Sequence, residues 1–300
     1  MKNKTKVWLL IAAFLILIGG GMFATIMTGL EWDFMNLSTS EFETNTYEIS
    51  ENYRNISINV DMADIQLLPG NDESTAVECY EMKSMKHSVI AENGTLLISV
   101  EDTRKWYEHI GFYFRQPKVT VTIPKGEYTK LFIKGSTGDV EIQKDIFFGD
   151  MEISISTGDV GVFASCSGNM SLKTSTGGIF VKSASAKEMN LRVSTGKTVL
   201  NGVRCENLTS IANTGDIVLE DVIAAGKISV ERSTGDVDFT ACDATEIFVK
   251  TTTGDVEGSF LTDKVFITQT NTGKVNVPKS VSGGRCELTT KTGDIKITVD

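Results

Sequence analysis

Carboxylates in register are the first feature of this chain that could do chemistry. Asp139, Asp159, Asp216, Asp236, Asp255 and Asp294 each follow a Thr-Gly pair. Such a column either coordinates Ca²⁺, as in nonapeptide-repeat β-rolls, or braces turns. The interval is wrong for a β-roll, and Gly178, Lys197 and Lys274 take the same slot in three other places. Turn bracing is the expected use: the aspartate, and the hydroxyl before the glycine, would bond local backbone groups.

The remaining reactive side chains form no constellation. The histidines are His87 and His109, and the cysteines are Cys79, Cys166, Cys205, Cys242 and Cys286. No Cys-x-x-Cys and no histidine cluster offers metal-ligand spacing. Beyond residue 130 there is no histidine, and acids and bases are scattered. A nucleophile needs a base beside it, and acid–base catalysis needs positioned titratable groups. The expectation is no catalytic, cofactor-binding or metal-binding residue, no cofactor and no enzymatic activity.

A repeat positions these residues. Beyond residue 130, Thr-Gly recurs nine times at intervals of 19 or 20, with Gly138, Gly158, Gly177, Gly196, Gly215, Gly235, Gly254, Gly273 and Gly293. Counting each glycine as zero, positions −7, −5, +2 and +4 share a face if strands flank a turn, because side chains alternate along a strand. Those positions are apolar, as in Met170, Leu172, Ile179 and Val181, except at Thr198, Ser210, Gly258 and Thr268. So short a unit has no room for a helix, and its one apolar face must be buried against the next unit. The expected fold is all-β, a single-stranded parallel β-solenoid of about nine to ten coils. Cys166, Cys205, Cys242 and Cys286 fall in alternate coils, about 10 Å apart if aligned, too far for a disulfide. The outward +3 position is Phe180, Val199 and Val218 in consecutive coils, an apolar stripe available to a partner.

Lys2, Lys4 and Lys6 precede an uncharged run from Val7 to Leu30, and Glu31 and Asp33 follow it. As a helix the run would reach about 36 Å, against a bilayer core of about 30 Å. The positive-inside rule then puts the N-terminus in the cytoplasm and the rest outside. A cleaved signal peptide is the rival reading, but its apolar part is normally about 7–15 residues before a small-x-small site. Gly19-Gly20-Gly21 is where the helix is expected to weaken. Without its first three lysines the chain carries 26 basic and 39 acidic residues, a net charge of −13. That balance disfavours nucleic acid and anionic head groups as partners.

Upstream of the repeats, Ile56 to Val60 and Met62 to Leu67 read as strand, turn, strand, with Ala63-Asp64 in place of Gly-Asp. The expected organisation is a cytoplasmic tail over 1–6, a transmembrane helix over 7–30 and a tether over 31–52. A degenerate first coil and hairpin cap follow over 53–130, then the solenoid over 131–300. Trp106, Tyr107, Phe112, Tyr113 and Phe114, beside His109, either pack the cap on the solenoid end or contact a ligand. The last repeat, ending on Ile295 to Val299, would leave an open edge at which a second copy could pair.

The recurring Ser-Thr-Gly-Asp pattern behind an apolar N-terminal segment resembles the bacterial putative-adhesin family of β-strand-repeat proteins of unknown function. The resemblance covers roughly Ile56 to Val299 and implies a β-solenoid at the bacterial cell envelope, with no catalytic or binding residue to carry over. The expected function is a membrane-anchored, non-catalytic adhesion or binding module whose partner is an envelope protein or polysaccharide. The alternative is an envelope-stress or signalling accessory that contacts another membrane protein.

Overall fold

A computed structural model describes residues 3–33, 41–102 and 115–300. The helix α1 spans Asn3–Gly29 and runs through the three glycines unbroken. Thr25 and Thr28 donate their hydroxyls back to the carbonyls of Gly21 and Ala24, so neither polar group is left unpaired on an apolar rod. With a mean hydropathy of 2.5 over Thr5–Gly29, the helix is long and apolar enough to cross a membrane.

Nine strands lead into the first regular coil: β1 (Phe42–Ile49), β2 (Asn55–Asn59), β3 (Asp64–Gly70), β4 (Thr75–Met82), β5 (Met85–Glu92), β6 (Thr95–Asp102), β7 (Lys118–Pro124), β8 (Glu127–Thr137) and β9 (Val140–Ile142). β2 and β3 lie on either side of Ala63, with Asp64 opening β3, and stack in parallel on β8 and β9, with Ile56 opposite Leu131 and Leu67 opposite Ile142. The degenerate coil is therefore a true coil. Beyond it, β6 pairs with β2 and β7 with β3 in parallel, after which β5, β4 and β1 add antiparallel strands. The cap thus prolongs both walls of the solenoid. The segment expected to be a tether over 31–52 holds β1, whose alternation was masked because its inward residues include the polar Asn45, bonded to Glu81.

From β8 onward each coil supplies one long wall strand before its glycine and one short wall strand after it. The parallel register keeps like positions stacked: Ile153 on Leu172, Leu172 on Leu191, Val160 on Ile179 and Val181 on Leu200. Met170, Leu172, Ile179, Leu200, Leu208, Ile217, Leu219 and Val237 are fully or almost fully buried, so the alternating apolar positions are the core. The interval of 20 from Gly215 to Gly235 is absorbed by a register shift between Cys205 and Asn207, away from both glycine-flanking segments.

The coils do not all stack in chain order. Gly284–Thr289 pairs with Val237–Lys250 on one side and with Lys264–Gln269 on the other, while Ile295–Val299 lies between Val256–Phe260 and Val275–Asn276. The Gly293 coil is therefore inserted between the Gly254 and Gly273 coils. The reason lies in side chains: the Gly293 coil offers Cys286, Leu288, Ile295 and Ile297, all buried, whereas the Gly273 coil has Thr268 inward and Pro278 just beyond its short strand. The more apolar coil takes the position covered on both sides, and Val275 at the end is left 45% exposed. This corrects the expectation that the last strand is the open edge; the free edge is Lys264–Gln269 with Val275–Asn276. Cys286 consequently lies one coil from the Gly254 coil, yet it faces Ile247 while Cys242 faces Phe260, and all five cysteines are free thiols.

The aspartate column bonds between coils, where local bonds were expected. Asp64 Oδ1 accepts from the Asp139 amide, Asp139 from Asp159, Asp159 from Gly178, Asp216 from Asp236, Asp236 from Asp255, Asp255 from Asp294 and Asp294 from Lys274. Stacking at about 4.8 Å brings the next coil's N–H within reach of the carboxylate. Threonines at −3 do the same from inside: Thr174, Thr290 and Thr270 donate to the carbonyls of Gly158, Gly254 and Gly293. Asp139→Ala is expected to lower stability by about 0.5–1.5 kcal/mol, with Asp139→Asn retaining most of it because the amide oxygen still accepts. Equal losses in urea unfolding would show that charge, and no hydrogen bond, is what the column supplies.

Candidate binding surface

Phe180, Val199 and Val218 sit on one ladder of the short wall, Phe180 beside Val199 and Val199 beside Val218. The stripe expected from the +3 positions is thus assembled by the register. Phe180 is 37% exposed and the valines are half-buried. A Cβ at Gly178 would come within 2.6 Å of the Phe180 ring, so the ring lies back over that glycine. This explains why the aspartate slot is empty in that coil.

Acids frame the stripe. The ladder continues through Gly161 to Glu141 on one side and from Val218 through Asp238 and Glu257 to Lys296 on the other. The Asp238 carboxyl is pushed above its usual range, first by partial burial and then by Asp236, Asp216 and Glu257, with Lys197 opposing. An apolar strip bordered by crowded carboxylates suits a partner that presents apolar groups beside cationic ones.

A second concave surface lies on the long-wall flank, lined by Arg54, Tyr128, Phe147, Ser165, Cys166 and Ser185. Phe147 is 53% exposed there. Tyr128 closes the floor by donating to the Pro124 carbonyl, with its ring 5.9 Å from that of Phe148. The signal for this groove was weak in sequence, because Arg54 and Phe147 meet only through stacking.

Among the buried polar side chains of the described residues, two clusters stand out. In the cap, Glu81 accepts from His87 Nδ1 and from the His87 amide at 2.6 Å each, and from Asn45 Nδ2 at 2.6 Å, with Cys79 alongside. Further along, Arg232 is 4% exposed and donates through Nη2 to Ser210 at 2.8 Å. Ser210 and Thr198 were two of the polar exceptions at inward positions, and Thr198 Oγ1 is buried without a partner. Sequence reading missed Arg232 because it occupies −3, a fifth inward position. Burial pushes the Cys79 and Cys286 thiols up to about 12 and those of Cys166, Cys205 and Cys242 up to about 11, so none is a thiolate nucleophile at neutral pH. Trp106, Tyr107, Phe112 and Tyr113 lie outside the described residues.

Solved structures share the fold. One, a putative adhesin from Parabacteroides distasonis ATCC 8503, is 11% identical with a TM-score of 0.55, covering 86% of this chain and 98% of its own. Another, a putative adhesin from Parabacteroides merdae ATCC 43184, is 9% identical with a TM-score of 0.50, over 87% of this chain and 97% of its own. No curated protein matches the chain. The profile described as Toastrack DUF4097 matches residues 53–298.

Proposed function

Because the chain belongs to the Toastrack DUF4097 family, we propose that it is a non-catalytic binding or adhesion module displayed outside a bacterial cell membrane. In this reading α1 is an uncleaved anchor with its N-terminus in the cytoplasm, and the partner is a cell-envelope protein or polysaccharide. Solved relatives carry the name putative adhesin, which supports a binding role. The observation that carries the reading is the Phe180–Val199–Val218 ladder framed by acids on a rigid parallel wall. A rigid surface loses little conformational entropy when a partner docks. The free edge at Lys264–Gln269 is where a second copy would pair.

Phe180→Asp combined with Val199→Asp is expected to weaken binding of whole cells or isolated envelope material about tenfold or more, since apolar contact is replaced by a desolvated charge. Circular dichroism of the variant should match the parent, because both side chains face outward. Undiminished binding by a folded variant would remove the stripe from the function. Protease added to intact cells should digest the chain beyond the helix; protection would overturn the orientation.

A further inference from the structure

We propose that Cys79, Glu81 and His87 bind one zinc-class divalent metal ion that clips the two walls of the cap together. One ligand atom from each of the three lies within 4.8 Å of the others, and no other such group converges among the described residues. Cys79 and Glu81 are fully buried and His87 is 2% exposed. Cys79 and Glu81 share a face of β4, and His87 follows a two-residue turn on β5. These strands pair only at Met82 and Met85, after which β4 joins β1 and β7 in one wall and β5 joins β6 in the other. The three donors therefore come from both walls, at the end of the core where aliphatic filling gives way to polar side chains.

The donor set selects the ion. A thiolate, an imidazole and a carboxylate suit zinc and its neighbours, whereas Ca²⁺ takes six to eight oxygens. The imidazole nitrogen that faces the cluster is Nδ1, 2.6 Å from Glu81 Oε2, and Nε2 on the opposite edge of the ring is buried with no hydrogen-bond partner, so it is open to receive the ring proton when a metal ion takes Nδ1. Asn45, donating to Glu81 Oε1, is placed to orient the carboxylate. On binding, a sulfur–metal bond replaces the Cys79 S–H bond and the proton leaves to solvent, with no change of oxidation state.

The test is a cobalt titration of the full-length chain in detergent after chelator treatment. One equivalent of Co²⁺ is expected to produce thiolate-to-cobalt charge-transfer absorption with release of protons, and Zn²⁺ is expected to displace it and raise the melting temperature by several degrees. Cys79→Ala should abolish the absorption, while Cys286→Ala, which removes an equally buried thiol, should leave it intact. Parent protein that shows no stoichiometric absorption in excess cobalt overturns the proposal whether or not the variants fold. Absorption that survives Cys79→Ala overturns it as well.

Discussion

Gly215→Ala is expected to destabilise the protein by roughly 3–5 kcal/mol, because two unfavourable effects coincide at one corner. The backbone there has φ of +124°, a region that residues with a Cβ rarely adopt. An added methyl would also lie 2.0 Å from the Gly196 carbonyl oxygen and 2.7 Å from its carbon. The obstacle is the neighbouring coil's backbone, held by its own ladder, so no side chain can swing aside. Gly126→Ala is the control: its φ is ordinary, nothing lies within 4 Å, and its stability should change by no more than about 1 kcal/mol. Urea unfolding of both variants checks the contrast, and equal midpoints would refute the stacked-corner account.

Replacing Arg232 with methionine is expected to work in the opposite direction, raising stability by about 1–4 kcal/mol. Nε and Nη1 of this guanidinium are buried without partners, and only Nη2 is bonded, to Ser210. Burial drives its pKa down from the usual guanidinium range to about 10, partly offset by Asp216. A folded-state value below the unfolded one means the charged form opposes folding. At pH below about 10 the group is protonated in both states and the penalty is constant; it is relieved only as pH rises beyond about 10 toward the usual guanidinium range, where the native state releases the proton first. Physiological pH therefore carries the whole penalty, of order 3 kcal/mol. Methionine keeps the unbranched stem and removes the charge, while the Ser210 hydroxyl, losing its partner, holds the gain toward the lower end. Arg232→Lys should show no gain. A lower urea midpoint for Arg232→Met would refute the penalty assigned to the buried guanidinium.

Much of the fold was legible because it is written locally. The alternation through Met170, Leu172, Ile179 and Val181 and the glycine at every corner each follow from the conformational preference of a residue and its near neighbours. The stripe at Phe180, Val199 and Val218 was legible too, since equal spacing guarantees stacking once the coils are parallel. The strand β1 was not, because its inward Asn45 is satisfied by Glu81, which is 36 residues away. Nor was the cap cluster: Cys79 and His87 sit in an unremarkable pair of strands until the hairpin parts and faces them across the interior.

Period, face and corner chemistry, together with an N-terminal helix apolar enough for a membrane, were thus determined by the sequence alone. The order of the last three coils, the aspartate bonds that run from coil to coil, and the burial of Arg232 were decided only by the tertiary structure. The physical reason is that every coil presents nearly the same backbone edge to its neighbour. Which coil stacks on which is then a small difference in buried apolar area, as between Ile295 and the exposed Val275, and that difference exists only once all the coils are in place.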